Sequence, residues 1–455
     1  MYNKLRIGIL SLGCPKTLVD SELILGKLRT ERFTFTPTME GCDVALINTC
    51  AFIESAQRES IDYILRLIEM KRGGDVGKVI VMGCLAQRFH QELEKELREV
   101  DAFVGSGEYD KLPQIIDSVT AGGRVTEIGV PGYLYTSGEA RVSLTPRYSR
   151  YIKISEGCDH TCSFCVIPQF RGKHRSRVLG DIVTEAERLI DEGARELILT
   201  AQDTTFFGYD TEGRYLLPEL LKQLNSLPGL KWIRLLYAYP SLVSDALIDA
   251  MANLEKVCHY LDMPLQHISD KILKSMKRGT TKSSTRRLIG RLRERIPDLA
   301  IRTTFIVGYP GESEQDFGEL LDFMEESHFE RLGIFTYSPE AGSCAAALGE
   351  QISEQAKRDR LDAGMALQQE ISLENNRRLI GKTLDVLVEE YDSDRGCWRG
   401  RSYMDAPDVD GAVYLVAGKH RRSTADLQAG NFVKTRVVKT EEYDLVAELG
   451  ESLSA

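Results

Sequence analysis

Short apolar runs recur along the first part of the chain, each ending in a small or polar residue and each followed by helical spacing. LRIGILSLGC (5–14), CDVALINTC (42–50) and KVIVMGC (78–84) begin three such units. Their helical patterns start near TLVDSELILGKL, FIESAQRESIDYILRLIEM and RFHQELEKELREV. Strands alternating with helices predict a parallel sheet with helices on its faces, an N-terminal α/β domain over residues 1–130. The stretch PGYLYTSGEARVSLTPRYSR mixes Pro, Gly and Ser without periodicity and reads as a linker over 131–150.

From Tyr151 the alternation restarts and runs for six units. Their strands are YIKISEGC, ELILTAQD, WIRLLYAYP, CHYLDMPLQH, AIRTTFIVGYP and RLGIFTYSP, separated by helical patterns such as DIVTEAERLIDEG and DFGELLDFMEESH. Six right-handed units predict a curved, partial (β/α)6 barrel. A long helical pattern leads out of it, so that this domain spans 151–376. The remainder, 377–455, changes character: TLDVLVEEY, GAVYLVAG and NFVKTRVVKTEEYDLVAEL are β-branched runs between turn residues, as in a small all-β barrel.

Hydrophobic content of 42% and charged content of 28% are those of an ordinary globular chain. The N-terminal run turns polar at Ser11, without the apolar core and cleavage site of a signal peptide. No stretch approaches the roughly 18 apolar residues of a membrane span. The expectation is a cytoplasmic protein without a membrane partner. The formal charge of −10 makes the chain a poor generic ligand for nucleic acid, whose phosphates are bound by Lys and Arg, and better suited to a basic partner.

Ten cysteines are too few for a disulfide scaffold, and clustered thiols in a reducing compartment read as metal ligands or catalytic groups. Cys158, Cys162 and Cys165 stand in SEGCDHTCSFCVIPQFRGK, in the loop after the first barrel strand. That edge of a barrel is where loops build active sites. One reading is zinc completed by His160 or His174, but structural zinc takes four protein ligands, often as two separated pairs, and no second pair is present. Three thiolates suit an iron–sulfur cluster with one iron free of protein. Cys14, Cys50 and Cys84 each follow a strand of the N-terminal sheet, and strand ends of a parallel sheet share one edge. Three thiols therefore converge without a local motif, whereas a lone thiol is usually inert. Cys42 precedes its strand, and Cys258, Cys344 and Cys397 lack companions.

The loop C-x3-C-x2-C resembles that of the radical S-adenosylmethionine (SAM) superfamily, and Phe164 before its last Cys fits the same pattern. The resemblance implies that SAM chelates the free iron. Polar groups and a glycine at other strand ends are candidates for holding SAM: Gln202, Asp203, Gln266, His267 and Gly308. Each is otherwise an ordinary loop residue. No catalytic side chain beyond the cluster cysteines stands out. Arg171, Lys173, His174, Arg175 and Arg177 form a basic run that is either a solvated loop, a SAM or substrate contact, or a brace between domains.

Over its whole length the chain resembles the methylthiotransferases, which join an N-terminal cluster domain, a radical SAM barrel and a C-terminal TRAM domain. SLGCPKTLVDSE, EGCDHTCSFCVIPQFRGKHRSR and AQDTTFFGYD resemble the branch that adds a methylthio group to an aspartate β-carbon on small-subunit ribosomal protein twelve. The resemblance implies two 4Fe–4S clusters, one on Cys14, Cys50 and Cys84 and one on Cys158, Cys162 and Cys165, together with SAM and an electron donor. The branch that modifies a tRNA adenosine shares all six cysteines. From Asn376 onward there are 12 Lys and Arg against 14 Asp and Glu, a balance of −2, which favours a basic protein substrate over tRNA. A non-catalytic iron–sulfur carrier or RNA-binding redox sensor is the remaining alternative.

Overall fold

The computed structural model describes residues 4–418 and 424–453. Its N-terminal sheet comprises β1 (Leu5–Ser11), β2 (Phe33–Thr36), β3 (Cys42–Thr49), β4 (Val76–Gly83), β5 (Ala102–Val104) and β6 (Val125–Glu127). All are parallel, in the order β2-β1-β3-β4-β5-β6. The central strands β3 and β4 are buried nearly throughout. The edge strands β2 and β6 are short and partly exposed, and β5 has only three residues, so the apolar pattern does not announce them. Chain order reverses between β1 and β3, which opens a crevice at the C-terminal edge of the sheet.

The second sheet comprises β7 (Ser149–Lys153), β10 (Glu196–Thr200), β11 (Trp232–Leu235), β12 (Val257–Asp262), β13 (Ala300–Val307) and β14 (Arg331–Thr336). It is parallel and open, in the order β14-β13-β12-β11-β10-β7, the partial barrel that the alternation predicts. Each strand is shorter than its apolar run because the last residues of the run turn over the crest. Beyond β7, the short strands β8 (Ser155–Glu156) and β9 (Arg175–Ser176) pair antiparallel and close the base of the 157–174 loop.

Alternation along the barrel strands divides two cores. Leu197, Leu199, Ile233, Leu235 and Ile301 pack against the surrounding helices. On the other face, Tyr151, Ile198, Trp232 and Tyr260 join a cluster with Val386, Met404, Val413 and Phe432 of the C-terminal domain. That domain is a closed five-stranded barrel of β15 (Thr383–Asp392), β16 (Cys397–Arg401), β17 (Val413–Val416), β18 (Phe432–Thr440) and β19 (Leu445–Leu453).

Ion pairs seal this docking. Glu196 accepts from Arg234 at 2.8 Å and from Arg401 at 2.6 Å, and all three side chains are buried. Arg331 binds Asp405 at 2.5 Å, and Asp410 accepts from Tyr260 at 2.7 Å and from Arg302 at 3.2 Å. The segment 131–150 is clamped as well as connecting. Tyr135 is buried and donates to Glu185 at 3.1 Å, while Arg141 binds Glu22 and reaches Glu185 at 3.0 Å.

Burial alone would raise the Glu196 carboxyl, but Arg401 and Arg234 outweigh it and hold it at about 2. A depressed carboxyl stabilises the fold fully above its ordinary value and loses that contribution as pH falls toward 2. Glu196→Gln leaves the buried Arg234 without its counter-charge and Arg401 with Glu389 alone, and is expected to cost about 3 kcal/mol of stability at neutral pH. The gap from wild type should narrow in acid. Identical denaturant midpoints at neutral pH would contradict this role.

Candidate metal centre

Three strand ends bring the first thiols together. Cys14 precedes helix α1 (Pro15–Leu28), Cys50 follows β3, and Cys84 begins the helix Cys84–Glu96 after β4. Gly13 makes the approach possible: at φ +91° it lies so close to Cys50 that a Cβ would stand 2.8 Å from the Cys50 Cβ. Each thiol feels its neighbours electrostatically. Burial raises Cys50, with Cys14 adding to it, and burial pushes Cys84 up to about 12 against the opposing charge of Arg171. Burial also acts on Cys14, but Lys16, the Thr17 amide and Arg171 outweigh it and lower this thiol.

The second triad lies in the loop closed by β8 and β9. Burial pushes both Cys158 and Cys165 up to about 12, and the neighbouring thiols of the triad add to the shift. Arg278 donates to the Cys162 Sγ at 3.5 Å, and its guanidinium lies 4.2 Å from the ring centroid of Tyr239. His160 stacks on the same Tyr239 ring, the centroids 3.7 Å apart, and its Nε2 is 2.6 Å from Asp203. His174 Nε2 is 3.1 Å from the Ser176 hydroxyl. Both histidines thus have their Nε2 engaged by neighbouring side chains. Among the described residues, no three His, Cys, Asp or Glu side chains form a group that could hold a single metal ion. Thiols in two groups of three are donors of the kind that ligate iron–sulfur clusters, whose thiolates bind separate irons and whose charge drives buried thiols to ionise.

The other sequence candidates fall into two sets. Gln202 donates to Glu156 at 2.6 Å and leaves its Oε1 buried without a partner, and Asp203 holds His160 and the Thr205 amide. Gln266, at φ +76°, also has a buried, unpartnered Oε1. These three carry unused or convergent polar groups at the crest. His267 is fully buried, accepts from the Ser269 amide at 3.0 Å and is pushed down to about 4 by burial, so it is neutral at pH 7 with its proton on the unpartnered Nε2. Gly308 makes room for Lys357, whose Cγ would stand 2.3 Å from an added Cβ. Phe164 packs with Ile272, Met276 and Tyr309, and its neighbour Ser163 bonds the Met276 carbonyl and the Tyr309 hydroxyl. These two anchor the loop and the helix Glu354–Arg377 that follows the barrel.

The edges of the two parallel sheets face each other. Arg171, which ends helix Ile167–Arg171 just beyond Cys165, donates through Nε to Cys84 Sγ at 3.2 Å and through Nη1 to Asp20 at 2.8 Å and Glu156 at 3.3 Å. Lys153 binds the same two carboxylates, reaching Glu156 at 2.6 Å. From the opposite side, Arg88 donates to the Ala51 carbonyl at 2.9 Å and to Glu340 at 2.8 Å, and its charge is felt at Cys165. Of the basic run, Arg171, His174 and Arg177 are buried in internal contacts and Lys173 is exposed, so the run chiefly braces the molecule. Sequence reasoning missed Arg278, Tyr239 and Arg88, which are distant in sequence from the thiols they serve and carry no local motif. Lys16 stood within the quoted GCPKT and had the adjacent thiol as its signal.

Comparisons with known proteins agree with this layout. Family models match the uncharacterized protein family UPF0004 at residues 6–105, the radical SAM superfamily at 152–324 and the TRAM domain at 380–449. The chain is 46% identical over 447 residues to the ribosomal protein uS12 methylthiotransferase RimO of Desulforamulus reducens, covering 98% of this chain and 99% of that one. It is 45% identical to its namesake in Geobacter sulfurreducens, again over 98% of this chain and 99% of the relative. Among solved structures, the radical SAM methyltransferase TsrM of Kitasatospora setae, with cobalamin and a [4Fe-4S] cluster bound, superposes with a TM-score of 0.52 over 74% of this chain and 77% of that one. Its 17% identity speaks to the fold alone. Among the described residues, no helix is long and apolar enough to cross a membrane. By its full-length identity to these relatives, the chain belongs to the RimO family of ribosomal protein uS12 methylthiotransferases.

Proposed function

We propose that the protein methylthiolates the β-carbon of an aspartate on ribosomal protein uS12, with Cys158, Cys162 and Cys165 holding a SAM-binding 4Fe–4S cluster and Cys14, Cys50 and Cys84 holding a second. The observation that carries this reading is Arg171, which donates to Cys84 of one thiol triad and stands in the loop that carries the other. When bound, the clusters and SAM supply hydrogen abstraction by a 5′-deoxyadenosyl radical on the barrel side and sulfur on the other. Gln202, Asp203 and Gln266 offer SAM the crest polar groups. Phe164, His267 and Gly308 hold the crest in shape around them. Arg171, Lys16 and Arg278 place positive charge against the thiolates, which stabilises their ionised form. An external electron donor completes the set of partners.

The names of the relatives favour uS12 over tRNA. The charge of the C-terminal domain supports the same choice less strongly than composition suggests. Asp405 and Asp410 are spent on barrel arginines, Glu389 on Arg401 and Glu390 on Arg399, which leaves Asp394 exposed in the β15–β16 hairpin.

Anaerobically reconstituted protein should bind about eight irons, two cubes of four. Replacing Cys158, Cys162 and Cys165 by Ala should halve the iron and abolish SAM cleavage. The equivalent change at Cys14, Cys50 and Cys84 should preserve 5′-deoxyadenosine formation and eliminate methylthiolated product. Wild-type stoichiometry near four irons would contradict the two-cluster assignment. For the substrate, reduced holoenzyme offered uS12 and tRNA together should place the methylthio group on uS12, as located by mass spectrometry. Methylthioadenosine in tRNA with uS12 untouched would reverse the choice.

A further inference from the structure

The buried cations around the crevice differ in one respect. Lys153 and Arg171 share Asp20 and Glu156, and Arg141 is held by Glu22 and Glu185. Lys16 is only 9% exposed, yet no carboxylate lies within ion-pair distance of it among the described residues. Its ammonium makes one long hydrogen bond, to the Ala201 carbonyl at 3.4 Å, and sits 3.5 Å above the ring centroid of Tyr237. Three donors are thus served by one weak acceptor and one π face. The Cys14 thiol two residues away and, more weakly, Glu156 lend the ammonium negative charge without hydrogen-bonding it. Its remaining donors have no acceptor, which is costly for a buried charge, and such a site is completed by an anion.

The surroundings are built to keep the ammonium there. Tyr237 adopts φ +60°, a left-handed conformation unfavourable for a bulky residue. It is held so by its amide, which donates to Asp262 at 3.1 Å, and by its carbonyl, which accepts from the Thr204 amide at 3.1 Å. Glu156, the nearest competing carboxylate, is already saturated by Lys153, Arg171 and Gln202. Lys16 stands two residues after Cys14 and touches the carbonyl that precedes Gln202, so it lies where the N-terminal domain meets the barrel crest.

We propose that Lys16 is the carboxylate-binding residue of the substrate site, pairing with the side chain of the aspartate that is modified. This rests on the uS12 reading, in which the reacting β-carbon is bonded directly to that carboxylate carbon. The ammonium then fixes the β-carbon between the two thiol triads, and an amide in place of the carboxylate forfeits the ion pair.

The test compares uS12 with uS12 carrying Asn at the modified aspartate, each against wild-type, K16Q and K16R holoenzyme. Two quantities are read, the equilibrium affinity and the rate of methylthiolation in direct competition. Both substrates meet the same enzyme preparation, so differences in cluster loading cancel in the ratio. Wild type should favour the Asp form by about ten- to a hundredfold, the size of a charge-assisted contact. K16Q should lose the preference in affinity, a result readable even if its turnover is too slow to follow, and K16R should retain most of it. An undiminished preference for Asp in K16Q, or no preference in a wild type that modifies uS12, overturns the subsite alone. A wild type that modifies neither form of uS12 overturns the uS12 reading and the subsite together.

Discussion

Two parallel sheets can present their C-terminal edges to each other only if something fixes the gap between them, and here that is a buried set of charges. Asp20 from the first domain and Glu156 from the second are shared between Lys153 and Arg171. Such an arrangement adds little net stability, because the desolvation of four charges offsets their attraction, but it tolerates only one geometry. Arg171 then extends the constraint to the chemistry by donating its remaining Nε to Cys84. Gln202 reads the same Glu156 from the crest side. The register between the two thiol triads is therefore set by hydrogen-bonded ions, which are directional, acting with the apolar packing of Val166 and Phe170 against the first domain's core around Cys84.

The C-terminal barrel serves the same end from below. It covers the inner face of the open sheet with apolar contacts and a second set of buried ion pairs centred on Glu196 and Asp405. The face it covers mixes apolar residues such as Ile198 and Trp232 with the charged Glu196 and Arg234, and the barrel supplies partners for both kinds. Covering it consumes acidic residues that composition alone would assign to the surface.

Much of this was legible in the sequence. The strand-end positions of Cys14, Cys50 and Cys84 identify a shared edge because parallel strands end together, and the spacing from Cys158 to Cys165 identifies a single loop. What was not legible depends on long-range pairing. Arg278 reaches Cys162 across 116 residues, and nothing near either residue signals it. The strands β2, β5 and β6 are too short or too polar to imprint a pattern. The segment 131–150 has the composition of a spacer, yet Tyr135 and Arg141 clamp it, because two or three well-placed contacts suffice to order a loop whose average composition is unremarkable.

The two proposed clusters would be held at a fixed, short gap by the network of charges around Asp20 and Glu156. Electron paramagnetic resonance of the anaerobically reconstituted, fully reduced protein tests it most directly. The account predicts magnetic interaction between the two reduced clusters, seen as broadening and faster spin relaxation that disappear when either cysteine triad is replaced by Ala. A wild-type spectrum equal to the simple sum of the spectra of the two single-cluster variants would contradict it.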